Sequence, residues 1–508
     1  VKPALRLERD YIVTGIILLQ GTIYMPRRRK EAVWTGGKTM KHETTESGLL
    51  KGLTLTSATT IVVGSMIGSG IFIAPSIMAG IIHSPGVILC LWMLAGLFTL
   101  FGAVSYGELS AMLPRAGGQY VFLREAYSPI LGFIYGWTVF FVIQTGFIAA
   151  VAVAFAKYLG VFIPSLSENV IIFSLALGGH TFALNSAQLV GIASIILLTV
   201  INCFGIHTGA MVQNVFTFLK VFAVVLLIIL GFTIGKGSFA NFAGFFQPVL
   251  PEGLKMGLFA AMAVALSKAL FAYDAWNTVT FTAEEVKDAP KNMPRALILG
   301  SLVTMLVYTL TTAVYFYLIP AGAAAAVPDN RIAAAAARII FGEPGLIFIT
   351  AAILISTFGC NNGLILGGPR VYFAMAKDGL FFKPLARLHQ TFRTPVNALV
   401  WQGAWACLLT LTGTYSDLLT YVTFASVLFN ALTVFGLFIL RKKQPDLHRP
   451  YKSHGYPWIP AIYILIALAF VVFILQGDPI NSLKGLALIL LGLPFFYWFH
   501  IGRKSASD

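Results

Sequence analysis

The sequence predicts an all-α membrane protein of about twelve transmembrane helices, and three observations predict it. Of its 508 residues, 57% are hydrophobic and only 11% charged. Mean hydropathy is +0.82, outside the balance of a soluble domain. Apolar runs of the roughly 20 residues needed to cross a hydrocarbon core of about 30 Å recur along the whole chain. Lipid offers no partner for a backbone N–H or C=O, so each run must satisfy its own as a helix.

In chain order, a polar lead over residues 40–53 precedes apolar cores near 54–82, 85–112, 128–158, 186–205, 208–234 and 256–283. Six further cores follow near 296–319, 344–375, 395–413, 416–440, 457–476 and 483–501, ending in a tail over 502–508. An even number of spans places both termini on one side. On this assignment roughly nineteen Lys and Arg fall on one side, among them Arg115, Arg124, Lys287, Lys291, Arg295, Lys377, Lys383, Arg387 and Arg441, against roughly six on the other. The positive-inside rule therefore predicts cytoplasmic termini in the cell (inner) membrane. The formal charge of +15 reports topology, and no nucleic-acid partner is expected.

Cys90, Cys203, Cys360 and Cys407 all fall within predicted spans, where thiols behave as small hydrophobes. They form neither a disulfide framework nor metal-ligand spacing, so no metal or cofactor is expected. Residues 11–25 form an apolar run too short for a span, followed by Arg27, Arg28, Arg29 and Lys30. Lys2, Arg6 and Arg9 suit a signal peptide, but no small-residue cleavage pattern follows. Met40, just ahead of the polar lead, predicts an over-extended start, with residues 1–39 disordered or absent from the native protein.

Two spans carry signs of interruption. Span 1 reads Gly64-Ser65-Met66-Ile67-Gly68-Ser69-Gly70-Ile71-Phe72, and each interior glycine weakens a helix by about 1 kcal/mol relative to alanine. Unwinding there frees backbone groups for a ligand. The alternative is that Gly64 and Gly68, a GxxxG pair, let two helices approach. Span 6 places Asp274 inside Phe271-Ala272-Tyr273-Asp274-Ala275-Trp276-Asn277, and an acid at that depth needs a reason. One reason is a cap on a restarting half-helix, accepting N–H bonds from Trp276 or Asn277.

The breaks lie about 205 residues apart in the first span of each of two five-span sets, as in an inverted repeat with its site at the midplane. The expected organisation is a first repeat over 54–234, a second over 256–440 and two closing spans over 457–501. Helix ends then fix the chemistry. The N–H groups of Ser69, Gly70 and Ile71 suit a carboxylate, and the carbonyls of Met66, Ile67, Phe271 and Ala272 suit an ammonium. Together they fit the zwitterionic end of an α-amino acid.

These two segments resemble the first- and sixth-span motifs of the amino acid, polyamine and organocation family, closest to its L-type amino acid transporter branch. Glu108-Leu109, Pro114-Arg115-Ala116-Gly117-Gly118-Gln119-Tyr120, Glu284-Glu285-Val286, Pro294-Arg295-Ala296, Arg449-Pro450-Tyr451-Lys452 and Gly455-Tyr456-Pro457 extend the resemblance over about residues 50–500. It implies a LeuT-type fold with discontinuous helices 1 and 6, and a sodium-independent permease or exchanger of neutral L-amino acids working by alternating access. It also implies Phe271 as an aromatic gate and Asn277 as a polar neighbour. Many L-type relatives have Gly where this chain has Asp274, so side-chain selectivity does not carry over. Animal L-type carriers bind a heavy subunit through a cysteine between spans 3 and 4. Residues 159–185 contain none, so no disulfide-linked heavy subunit is expected.

Lys220 lies deep in the apolar fifth span. A lysine there costs about 2.5 to 3.5 kcal/mol on insertion scales, which predicts that it faces the bundle. By the resemblance, it stands with Asn214 and Thr217 where sodium-coupled relatives hold sodium between spans 1 and 8, so its ammonium is expected to substitute for that ion near Ser356 or Thr357. Lys268, three residues before Phe271, either lines the outer vestibule or snorkels outward. Glu108 is expected to anchor the inner end of span 2. The Ala-rich segment 321–337 reads as an outer helical lid.

A membrane-embedded enzyme is disfavoured, because no span carries paired carboxylates or a histidine cluster. A channel lacks a filter-like repeat. A cationic amino acid or polyamine carrier is the alternative within transport, since Asp274 could meet an extra positive charge.

Overall fold

The computed structural model describes residues 44–177, 180–234, 236–250, 257–412, 415–477 and 479–504. The expected extension over 1–39 and residues 505–508 of the expected tail lie outside the described residues. The protein is an all-α multi-pass membrane protein. Eleven helices among the described residues are long and apolar enough to cross a membrane. The twelfth expected span, Val396–Thr412, is apolar but has 17 residues, the short end of the spanning range of about 17 to 25.

Span 1 starts where the Thr54 side chain accepts the Ser57 N–H and runs as two halves, Leu55–Met66 and Gly70–Ile81. Span 2 is Pro85–Met112 and a short helix Gln119–Ala126 leads into span 3, Pro129–Phe162. Spans 4 and 5 are Ser186–Cys203 and Ile206–Thr233. Span 6 is again two halves, Leu258–Ala272 and Trp276–Glu285. Span 7 is Ala289–Leu318, and span 8 runs over Glu343–Gly367 into Pro369–Lys377. Spans 10 to 12 occupy Tyr415–Lys443, Trp458–Gly477, and Pro479–Leu490 with Gly492–Lys504.

Spans 2 and 7, 3 and 8, and 4 and 9 pack as pairs, while the second half of span 1 packs on the first half of span 6. Span 5 lies against spans 1 and 8. The Ala-rich segment forms two helices, Ala321–Ala325 and Ile332–Phe341. The Ser76 hydroxyl of span 1 donates to the Ala324 carbonyl at 2.6 Å. Between spans 3 and 4 the chain forms an antiparallel pair of strands, Ile171–Leu177 and His180–Asn185. The Ile171-Ile172-Phe173 sequence suits a strand, because β-branched and aromatic residues pack well on a pleated surface.

Candidate functional site

The first half of span 1 ends at Met66, Ile67 leaves helical geometry, and Ser69 opens the second half. The Ser69, Gly70 and Ile71 N–H groups therefore stand at a helix start with no carbonyl four residues back in that helix. In span 6 the first half ends at Ala272, and Ala275 adopts φ +69° before Trp276. A Cβ on Gly70 would lie 2.7 Å from the Ala272 Cβ and 3.1 Å from its Cα, so the two breaks touch and only glycine permits it. A Cβ on Gly68 would meet the Cys360 Sγ at 3.2 Å, and one on Gly64 would overlap Gln213 and Thr217. Close helix approach and unwinding thus occur in the same glycine motif.

The side chains of Met66, Ile67 and Ile71 are buried in the apolar core, so these residues offer the site their backbone. Their carbonyls do not stand empty. The Tyr308 hydroxyl of span 7 lies 2.7 Å from the Met66 carbonyl and 3.0 Å from the Ala272 carbonyl, joining both broken helices with one O–H. The Phe271 carbonyl accepts the Asp274 N–H at 3.2 Å. A carbonyl has two lone pairs, so an arriving ammonium adds to these partners or displaces the phenol. The half-buried Phe271 ring stacks on Phe147 of span 3, centroids 6.0 Å apart.

Lys220 is 1% exposed, and its ammonium donates to the carbonyls of Gly64 at 2.9 Å, Ile67 at 2.8 Å and Ser356 at 2.8 Å. An ammonium has three donors, and all three are used. The Ser356 hydroxyl donates to the Ile67 carbonyl at 2.9 Å. Asn214 pairs with Thr60, and the Thr217 hydroxyl donates to the Thr60 carbonyl at 3.2 Å. Lys220 thereby fastens the unwound part of span 1 to span 8 with charge on one partner only.

Asp274 does not make the alternative capping bonds to Trp276 or Asn277. Its Oδ1 accepts the Ala275 N–H at 2.7 Å and the Ser426 hydroxyl of span 10 at 3.1 Å, and its Oδ2 is buried without a hydrogen-bond partner. Span 6 restarts as a 3₁₀ helix over Trp276–Glu285, with Ala275 in the left-handed region at its N-cap and no side-chain cap bond. Asp274 borders a pocket shared with Gln144, Phe147, Asn277, Ser426 and Asn430. The same pocket is lined by a buried amide and phenol network, of which the sequence reading had named Asn277 but not its partners. The Asn277 Nδ2 donates to the Gln119 Oε1 at 2.7 Å and the Asn430 Oδ1 at 3.1 Å, joined by the Tyr135 and Tyr106 hydroxyls at 2.8 Å each. The usable signal was Gln119 and Asn430 as amides in buried segments.

The basic-loop end carries buried ion pairs. Glu108, fully buried, accepts two bonds from Arg441 at 2.9 and 2.6 Å and the Ser453 N–H at 2.7 Å, the anchoring role expected of it. Glu285 and Arg370, each 1% exposed, pair at 2.7 and 3.0 Å between spans 6 and 8. Gly117, at φ +94°, donates its N–H to the Phe281 carbonyl at 3.0 Å. Lys268 is exposed, which fits either a vestibule-lining or a snorkelling side chain.

Comparison with known proteins decides the family: the amino acid permease profile matches residues 53–495. This chain belongs to the amino acid permease family. The permease is 32% identical over 476 residues to the large neutral amino acids transporter small subunit 2 of Homo sapiens, covering 91% of this chain and 83% of the relative. It is 30% identical over 458 residues to the Asc-type amino acid transporter 1 of Homo sapiens, covering 88% and 82%. Its identity to the b(0,+)-type amino acid transporter 1 of Mus musculus is 28% over 480 residues, covering 93% and 92%. The family match spans both helix breaks, Lys220 and the ion pairs at the basic-loop end.

Proposed function

We propose that this permease carries α-amino acids with neutral, small to medium side chains across the cell (inner) membrane by alternating access, without sodium. One observation carries the reading. The two broken helices meet at Gly70 and Ala272, setting the N–H start of one half-helix beside the carbonyl ends of two others, a complement to a carboxylate and an ammonium on one carbon. The relatives' names, for large neutral and Asc-type amino acids, agree with it. Lys220, with its three carbonyl partners, supports sodium independence by supplying a fixed cation between spans 1 and 8. Pairwise packing of spans 2 with 7, 3 with 8 and 4 with 9 supports the five-plus-five repeat. The crowding of basic loops supports cytoplasmic termini. Lacking cysteine in residues 159–185, that connection makes no disulfide to a heavy subunit, and no enzymatic step belongs to the cycle.

A second reading rests on Asp274. Its unpartnered Oδ2 beside the pocket suits a substrate with an additional positive charge, and one relative is named a b(0,+)-type transporter. Purified protein in liposomes, given labelled amino acids with and without internal amino acid in sodium or choline buffer, separates these readings. Uptake of neutral amino acids, equal in both buffers, supports the first. Preference for arginine or a polyamine promotes the second, and a strict sodium requirement overturns the role given to Lys220.

A further inference from the structure

The lead into span 1 is folded. Residues 44–50 close into a hook in which Thr44 and Leu50 pair as an antiparallel bridge. The Thr45 N–H donates to the Leu49 carbonyl at 2.8 Å, and the Leu49 N–H donates to the Thr45 hydroxyl at 3.1 Å. Gly48, at φ +91°, makes the turn, a conformation that glycine alone takes without strain.

The hook grips four other parts of the chain. Leu49 is fully buried in a small apolar cluster of its own, with Ala116, Phe373 and Leu388, apart from the main core. Ala116 follows span 2, Phe373 lies at the inner end of span 8, and Leu388 lies between spans 8 and 9. Glu284, at the end of span 6, accepts the Ser47 N–H on one oxygen and the Ala116 N–H on the other, both at 3.0 Å. Lys377 of span 8 donates to the Ser47 carbonyl at 3.1 Å. Further on, the Gly52 and Leu53 N–H groups donate to the Glu285 carbonyl at 3.0 and 2.9 Å, and the Lys287 N–H returns to the Leu53 carbonyl at 2.9 Å.

We propose that residues 44–53 are a latch that holds the basic-loop mouth of the permease shut, and that its release opens the site to the cytoplasm. Sidedness here rests on the function proposed above. The geometry gives the reason. The hook is covalently part of span 1 and hydrogen-bonded to the end of span 6, the two interrupted helices, while Leu49 and Ser47 are held by span 8 and the connection beyond it. Movement of the interrupted helices away from span 8 must pull Leu49 from its cluster and part Lys377 from Ser47. Glu284 is the pivot, because its two oxygens tie the hook to the segment after span 2. A leucine plug with few neighbours is suited to release, since it leaves the main core intact.

The test uses the full chain in liposomes of known orientation, with KM for one amino acid measured from each side. Leu49→Gln puts an amide into the cluster, and Gly48→Val strains the turn and sets its Cβ 3.3 Å from the Leu388 Cδ1 at the cluster's edge. Both variants are expected to lower the cytoplasmic KM and raise the outer KM by about fivefold or more, because the fraction competent to bind rises on one side and falls on the other. Leu49→Met is expected to keep wild-type values. Movement of the two KM values in the reversed sense keeps the latch and overturns the sidedness. A lower maximal rate with both KM values unchanged overturns the latch. If the wild type transports no amino acid, the function fails and amide hydrogen exchange decides the latch alone. Faster exchange over residues 116–118 and 276–286 in Leu49→Gln supports it, and unchanged exchange there overturns it.

Discussion

Tyr308 and Arg370 show how much of the site's energy sits in single side chains. The Tyr308 phenol meets two carbonyls at the ends of two half-helices, so Tyr308→Phe leaves buried acceptors short of a donor at a cost of about 1 to 3 kcal/mol. The expected outcome is a lower thermal unfolding temperature in detergent together with a raised KM, since the carbonyls proposed to meet the substrate ammonium lose their alignment. Wild-type values of both would remove Tyr308 from the site. Arg370→Ala strands the Glu285 carboxylate, which is 1% exposed, and breaking a buried pair in this way costs about 3 to 5 kcal/mol. The double variant Arg370→Met with Glu285→Leu is expected to recover most of that loss, measured by thermal unfolding. Charged residues in apolar runs were legible in the sequence: Lys220 and Asp274 stood out because charge in lipid demands a partner. Tyr308 was not, because a tyrosine among aromatic and aliphatic neighbours looks like core until its hydroxyl is placed.

At the level of the element, span 6 holds its own strain. Ala275 sits at φ +69°, a conformation costing a non-glycine residue about 1 to 2 kcal/mol, so Ala275→Gly is expected to raise thermal stability by roughly that amount. No gain on unfolding would mean that neighbouring contacts already offset the strain. The contact of spans 1 and 6 gives a compensating pair. Gly70→Ala forces its new Cβ against the Ala272 Cβ and should cut uptake while folded protein persists, and adding Ala272→Gly should restore part of it. Glycine-rich unwinding near Gly68 was readable from helix propensity, and so was a break near Asp274. The 3₁₀ winding of Trp276–Glu285 was not readable. Threonine hydroxyls turn back on the chain within it, as Thr280 does to the Asn277 carbonyl at 2.7 Å and Thr282 to the Val279 carbonyl at 2.9 Å. The hook before span 1 was hidden for a similar reason: its partners, Ala116, Glu284 and Phe373, lie far away in sequence.

For the whole molecule, hydropathy and loop charge were enough to lay out nearly all the spans, because the bilayer allows one solution to backbone satisfaction. How those spans meet depends on polar groups inside the bundle. Lys220 holds Gly64, Ile67 and Ser356, and Lys220→Ala is expected to abolish uptake, with folded protein retained and no rescue by sodium. Full activity in that variant would end its assignment as a fixed cation. The account's central claim is that the ends of two broken helices read the α-amino and α-carboxyl groups of the substrate. It is tested most directly by competition in liposomes, with uptake of one labelled neutral amino acid challenged by that amino acid, its amide and its decarboxylated amine. The account predicts that only the unmodified amino acid competes strongly, and equal competition by all three would contradict it.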